Sequence, residues 1–315
     1  MRIRKYACML IAVAMLGCDN TETPQQPATP ELRTTFYPTT YFAQRIAGDL
    51  ANVSCPLPAN EDPITWMPDA ATIAAYQQAD LVVINGADFE KWVARVSLPP
   101  SKLVDTAAPL ADTFVRFKTA ISHSHGPSGQ HDHTGVDGHT WLDPQNAKVQ
   151  AAEICKALVR ILPDHADKLN ANHAALAANL DKIDSLLREL SIIIKKQNIL
   201  AAHPAYNYLA GRYEWNVTNL DLDPETAPSD ETIGSIRKQI EKLTPRPTII
   251  LWESEPSGAA ADRLEKDLAL KSVVVSPCEH APGQPGDYFS VMLDNIQRLT
   301  SALAADLQVE PLERQ

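Results

Sequence analysis

Cysteine is scarce in this chain, with 5 residues among 315. Cys8 and Cys18 fall within or directly after an N-terminal leader, which leaves Cys55, Cys155 and Cys278. Three cysteines cannot all pair within one chain, so at most one internal disulfide can form, and the sequence does not say which. Their spacing also differs from that of a zinc–thiolate site.

Positive charge is scarce as well. The chain carries 28 Lys and Arg against 39 Asp and Glu, which gives a net charge of −11. This excess of negative charge argues against nucleic acid or an anionic membrane face as a partner. An acidic surface is compatible with a cationic ligand.

Two catalytic signatures are missing. Neither His-Glu-x-x-His nor Gly-x-Ser-x-Gly, the motifs of zinc proteases and of many serine hydrolases, occurs in the chain. A hydrolytic zinc enzyme also needs an open coordination position with a general acid or base beside it. We therefore expect that the protein is not an enzyme, and a zinc hydrolase is kept as the disfavoured alternative.

No apolar run reaches the ~20 residues that are needed to span a bilayer. Residues 1–17 combine a basic start with a short apolar stretch, which is typical of a secretory signal peptide. The Leu-Gly-Cys that ends it resembles a bacterial lipoprotein signal, with Met15 where Leu is usual, so we expect Cys18 to carry lipid. Residues 18–32 are polar and proline-rich, which predicts a flexible tether. The protein is therefore expected on the periplasmic side of a bacterial membrane or at the cell surface, anchored by lipid.

Histidine is concentrated in one segment. The chain has 9 histidines, and five of them lie in residues 122–144: His123, His125, His131, His133 and His139. The first four lie among Gly, Ser, Pro and Asp, which predicts a mobile loop over 122–133. His139 is followed by Trp141 and Leu142, which predicts a fixed position. Imidazole suits zinc and its neighbours, so the tract indicates metal binding, with a solvated polar loop of no function as the alternative.

Strand-like and helix-like patterns alternate in two blocks, which predicts parallel sheets with helices on both faces. We expect an α/β fold with two lobes, each a mostly parallel sheet flanked by helices. The N-terminal lobe covers 33–162 with the histidine-rich loop, and the C-terminal lobe covers 196–315. Strands are predicted at 34–37, 81–84, 102–105, 198–202, 248–252 and 272–275, and helices at 42–50, from 89, 206–213, 229–243 and 288–305.

One long helix is predicted between the lobes, over 163–195. No Pro or Gly occurs in 164–195, and one apolar stripe runs along it. The stripe consists of Leu169, Leu176, Leu180, Ile183, Leu187, Leu190 and Ile194. At ~1.5 Å per residue the helix would be roughly 48 Å long. We expect a rigid helix that joins the two lobes, with a coiled-coil arm as the alternative.

Candidate ligands follow predicted strands. His203 follows 198–202 and Glu253 follows 248–252, and ligands of parallel sheets bind beyond the carboxyl ends of strands. His139 and the pair Glu61 and Asp62 could face them from the first lobe. Two imidazoles with one or two carboxylates can hold a divalent ion. Taken singly, each residue also has an ordinary structural interpretation as a core histidine, a helix cap or a turn.

Two histidine motifs and two shorter stretches resemble those of a known family. Gly-His-Thr-Trp-Leu-Asp-Pro at 138–144 is similar to a His-x-Trp-Leu-Asp-Pro motif, and His-Pro-Ala-Tyr-Asn-Tyr-Leu-Ala-Gly-Arg-Tyr at 203–213 is similar to His-Asp-Ala-Phe-x-Tyr-Phe-x-x-Arg-Tyr. Matches at 79–86 and 224–229 extend the likeness over about 35–303. The chain resembles the solute-binding proteins of zinc and manganese ABC importers. The resemblance implies that His139 and His203 each supply one ligand and that the ion passes to a membrane permease.

Two family ligands do not carry over. Ile64 stands where the family has a histidine, and Ser276 follows the last strand where it has an aspartate. The replacements must come from the histidine-rich loop or from one of these carboxylates: Glu61, Asp62, Glu253, Glu255 or Glu279. We expect Glu61 or Asp62 together with Glu253.

Several aspects of the function stay open from sequence. We expect Zn²⁺, although Mn²⁺ or Fe²⁺ could take its place because carboxylates make a site harder. The protein could also be a metal buffer or chaperone without a permease, or a degenerate receptor that binds its ion weakly. We expect a monomer with no nucleic-acid partner.

Overall fold

A computed structural model describes residues 29–117, 121–124, 130–133, 135–283 and 285–307. The predicted signal peptide, Cys18, most of the tether and His125 lie outside these residues. No helix of the described ranges is both long enough and apolar enough to cross a membrane.

The first lobe is built on a four-stranded sheet in which every neighbouring pair is parallel, in the order β2-β1-β3-β4. Its strands are β1 (Glu31–Thr34), β2 (Asn52–Ser54), β3 (Leu81–Ile84) and β4 (Leu103–Asp105). Its helices are α1 (Tyr37–Ala47), α2 (Ala70–Gln78) and α3 (Pro144–Ile161). All four residues of β3 are buried, as expected for an apolar strand that is covered on both faces.

The boundaries near the N-terminus differ from the prediction. The sequence predicts a strand at 34–37, but β1 ends at Thr34 and α1 begins at Tyr37. Pro38 lies in the first turn of α1, where its missing N–H costs nothing. The helix predicted from Phe89 is also wrong, because only a 3₁₀ turn forms, at Val93–Arg95. The Glu90 carboxylate instead accepts hydrogen bonds from the backbone N–H groups of residues 85 and 86, which holds this segment as a turn.

The histidine-rich segment contains a hairpin, so the prediction of a loop throughout 122–133 is wrong. Strands β5 (Ile121–Ser124) and β6 (Gln130–His133) pair antiparallel, with His123 opposite His131. The strands contain Ser and Asp but neither Gly nor Pro, the residues that interrupt a strand most strongly. Below the hairpin, the Phe117 N–H donates to the Gly135 carbonyl and the Asp137 N–H donates to the Val115 carbonyl. This stem leads directly into the segment that carries His139.

The long helix is present as α4 (Ala166–Ile194), 29 residues in length. All seven residues of the predicted stripe are buried. The helix packs against α1 and α3 of the first lobe and against the last helix, α8 (Tyr288–Leu307). This packing contradicts a free coiled-coil arm. One continuous apolar core runs along α4 and includes residues of both lobes, such as Leu32 and Leu251.

The second lobe repeats the arrangement of the first. Its sheet has the order β10-β9-β7-β8, and every neighbouring pair is parallel. The strands are β7 (Asn198–Ala201), β8 (Asn216–Asn219), β9 (Ile249–Trp252) and β10 (Lys271–Val274). The helices besides α8 are α5 (Asn207–Tyr213), α6 (Asp230–Ile240) and α7 (Gly258–Leu268). The predicted fold of two parallel-sheet lobes joined by one helix is confirmed.

Candidate metal site

His203 and Glu253 lie together because their strands are neighbours. β7 and β9 are paired, so the residues that follow them emerge at the same sheet edge. His203 is 5% exposed, and its Nε2 lies 3.4 Å from Glu253 Oε1. Within the described residues that carboxylate oxygen is buried and accepts no hydrogen bond. Burying a carboxylate oxygen without a hydrogen bond costs free energy, so a bound cation would stabilise it.

His139 approaches from the first lobe and is 1% exposed. Asp137 Oδ1 accepts hydrogen bonds from the His139 backbone N–H, at 3.0 Å, and from its Nδ1–H, at 2.8 Å. A carboxylate can only accept, so Nδ1 carries the proton and Nε2 is the ring atom that can bind an ion. A Cβ on Gly138 would lie 2.8 Å from Phe89, which explains the glycine beside the histidine.

One ligand atom each from His139, His203 and Glu253 lie within 4.8 Å of one another. In a tetrahedral zinc site with bonds near 2.0–2.2 Å, ligand atoms are roughly 3.4 Å apart. The three side chains therefore need only a small adjustment to share one ion. The structure brings together one predicted ligand from each of three chain segments, and both lobes contribute.

Glu279 is the fourth group of this cleft. Its Oε1 lies 3.4 Å from His139 Nε2. The segment after β10 turns toward the first lobe, where the Pro277 carbonyl accepts from Trp141 Nε1 at 2.7 Å. Cys278 adopts a left-handed backbone, with φ 61°, directly before Glu279. The sequence offers Glu279 as one possible replacement but does not favour it, because this turn depends on tertiary contacts.

The acidic pair of the first lobe lies outside the three-residue cluster. Glu61 is exposed, whereas Asp62 is partly buried and accepts a hydrogen bond from the Ile64 N–H at 2.7 Å. The charge of Asp62 nevertheless acts on Glu253. Ile64 belongs to the apolar core, and Glu255 is exposed beside β10.

When no ion is bound, burial and repulsion between the carboxylates favour the protonated forms of the cleft side chains. Burial raises the pKa of Glu253 to about 8, the charges of Glu279, Asp62 and Asp137 add to the rise, and His139 opposes it. Burial alone would lower the pKa of His139, but the Asp137 and Glu279 carboxylates outweigh it and hold the pKa well above its usual value. A divalent ion would have to displace these protons.

His123 lies on strand β5, and His131 and His133 lie on strand β6. Cys55, Cys155 and Cys278 are free thiols, so the disulfide that the sequence leaves open does not form among them.

Two lobes that meet at a cleft with imidazole and carboxylate groups, braced by a single long helix, define a class of metal-binding protein. The sequence profile of one family, described as "Zinc-uptake complex component A periplasmic", matches residues 33–302. The chain belongs to this family.

Individual relatives are more distant. The chain is 28% identical over 307 residues to the "Zinc-binding lipoprotein AdcA" of Streptococcus pneumoniae, covering 95% of this chain and 60% of that protein. It is 27% identical over 315 residues to the "High-affinity zinc uptake system protein ZnuA" of Bacillus subtilis, covering 94% and 95%. The chain thus spans about 60% of the length of its AdcA relatives.

Solved structures agree with the fold. The Zn(II)-bound AdcA of Streptococcus pneumoniae aligns with a TM-score of 0.72 and 25% identity over 88% of this chain and 58% of that chain. The metal-dependent lipoprotein YcdH of Bacillus subtilis aligns with a TM-score of 0.74 and 24% identity over 87% and 99%, which supports the fold alone.

Proposed function

We propose that the protein captures a divalent transition-metal ion, zinc foremost, outside the cytoplasm and delivers it to the permease of an ABC importer. The observation that carries this proposal is the convergence of His139, His203 and Glu253 in the cleft between the lobes, where both histidines are buried. The proteins it resembles are named for zinc binding and zinc uptake.

The proposed ligand set compensates for the two missing family ligands. Glu253 and Glu279 each lie 3.4 Å from one of the histidines, and in the proposed site their oxygen atoms complete the coordination that the two imidazoles begin. Asp62 is close enough to act on Glu253 and is the next candidate. Two nitrogen and two oxygen ligands form a closed four-coordinate site, which suits capture of zinc rather than catalysis, since catalysis needs an open position.

Manganese and iron form the second candidate class. The carboxylates of Glu253 and Glu279 make the proposed site harder than a histidine-only site, which moves preference toward these ions. Competition between Zn²⁺ and Mn²⁺ on the same protein decides between them.

The decisive experiment is metal analysis of untagged protein purified without chelator. One tightly held zinc per chain supports the proposal, and a protein that neither retains nor binds any of the three ions contradicts it.

The proposed transport requires the anchored protein and its permease. We propose Cys18 as the lipid attachment site, which mass analysis of the membrane-bound form tests. If the protein were instead a metal buffer, it would retain zinc, and its function would not depend on a permease.

A further inference from the structure

Asp137 is a completely buried carboxylate, 0% exposed, whose two oxygens hold segments of different lobes. Its Oδ1 accepts from the Nδ1–H of His139 at 2.8 Å. Its Oδ2 accepts from Asn207 Nδ2 at 2.9 Å, and Asn207 is the first residue of α5 in the second lobe. One carboxylate therefore connects the histidine of the first lobe to the helix that follows His203.

The amide of Asn207 uses both its N–H groups and its oxygen. Besides Asp137, its Nδ2 donates to the Pro204 carbonyl at 2.9 Å, directly after His203. Its Oδ1 accepts from Asn219 Nδ2 at 2.8 Å. A reversed amide would set its oxygen against the Asp137 carboxylate and the Pro204 carbonyl, so the orientation is fixed by its partners.

Tyr208, the next residue of α5, supports the same point of the first lobe. Its hydroxyl donates to the Asp137 carbonyl at 2.8 Å and accepts from the Val115 N–H at 3.2 Å. Asp137 is thus held by α5 at its side chain and at its backbone. A carboxylate held in this way has little freedom to rotate away from the imidazole.

We propose that Asn207 is a positioning residue for ion capture, which acts through Asp137 on His139. By holding Asp137 Oδ2, it keeps Oδ1 on the Nδ1–H of His139 and Nε2 directed at the cleft. Its second N–H, on the Pro204 carbonyl, fixes the amide orientation that this contact needs. This inference rests on the proposed function for its effect on affinity, because it concerns the same cleft.

The test compares zinc dissociation constants, measured by chelator competition, for Asn207→Ala, Asp137→Asn and the double variant. Losing the partner of a ligating histidine typically costs ten- to a hundredfold in metal affinity, so each single variant should bind at least tenfold more weakly. The double variant should bind within twofold of Asp137→Asn alone, because both changes remove one shared contact. Losses that multiply in the double variant would overturn the proposal, as would an Asn207→Ala protein within twofold of the unaltered chain.

Asn172→Ala is the matched control. Asn172 Nδ2 donates to the Ile46 carbonyl at 2.9 Å, a partly buried amide-to-backbone contact of the same kind away from the cleft. This variant should lose stability and keep its zinc affinity within twofold. If Asn207→Ala does not fold, Asn207→Leu keeps the shape of the side chain without its amide and serves in its place.

A second readout needs no metal. In nitrogen-15 spectra of the ion-free protein, the Nδ1 proton of His139 should exchange slowly with water, and Asn207→Ala should speed that exchange while Asn172→Ala leaves it unchanged. A purely structural role for Asn207 would lower unfolding temperature without moving this signal, and that result would overturn the proposal. If the unaltered chain binds none of Zn²⁺, Mn²⁺ and Fe²⁺, the proposed function is contradicted, and exchange of the His139 Nδ1 proton alone then tests the positioning role.

Discussion

At the scale of single residues, the two histidines carry the strongest expectation. His139→Ala or His203→Ala should each weaken zinc binding at least tenfold, about 1.4 kcal/mol, because each removes a nitrogen that converges on the cluster. Titration calorimetry measures the effect. His173→Ala is the control, since this histidine lies on α4 beside Cys155 and away from the cleft. An unchanged affinity in either cleft variant would show that the site is misplaced.

Carboxylates of the cleft allow a matched comparison. Glu279→Gln should weaken zinc binding by tenfold or more, since Glu279 Oε1 lies 3.4 Å from His139 Nε2 and the amide would carry no charge. Glu61→Gln should have little effect, because Glu61 is exposed and outside the cluster. If Glu61→Gln weakened binding more than Glu279→Gln in competition assays, the further ligand would belong to the acidic pair of Glu61 and Asp62 in the first lobe.

At the scale of elements, the hairpin and the metal cluster should be separable. Replacing 122–133 by a Gly-Ser linker of equal length should remove weakly bound extra ions and leave the tight site nearly intact. His139 lies beyond the hairpin and is held by Asp137 and by packing against Trp141, with ring centroids 5.4 Å apart. Equilibrium dialysis counts the ions. Loss of the tight ion would show instead that a hairpin histidine replaces the ligand missing at Ile64.

Two substitutions on helix α4 should differ in their effect on stability, because one removes a buried side chain and the other an exposed one. Leu180→Ala should lower the free energy of unfolding by about 2–5 kcal/mol, because Leu180 is 1% exposed and its removal leaves a cavity in the shared core. Ile192→Ala should change it by less than about 0.5 kcal/mol, since Ile192 is 61% exposed. Urea unfolding of the ion-free protein measures both. Equal losses would contradict the assignment of the buried stripe.

The elements also show what the sequence can and cannot reveal. β3 is predicted with the observed bounds because four apolar residues stand between Asp80 and Asn85. β2 is missed because Asn52–Ser54 is three residues long and none is buried, so it carries no hydrophobic signal. The histidines can be recognised from motifs, whereas Glu279 enters the cleft only through the turn at Cys278, which no local pattern encodes.

At the scale of the whole molecule, ion binding should be coupled to protons. The raised pKa values of Glu253, about 8, and of His139 mean that the ion-free protein holds protons in the cleft near neutral pH. Zinc must displace them, so affinity should fall as pH drops from 8 to 5, and binding at pH 7 should release protons. Calorimetry in two buffers of different ionisation enthalpy counts the protons. Undiminished affinity at pH 4 would mean that the histidines are not ligands.

The core that runs along α4 has a consequence for protein engineering. Leu32 of the first lobe and Leu251 of the second belong to the same apolar cluster, and α4 supplies side chains to it along its length. A half-molecule cut at either end of α4 would leave an apolar face in water. Exchange of one lobe with a relative would therefore have to exchange the facing part of the α4 stripe as well, and modular grafting of a lobe alone should yield aggregated protein.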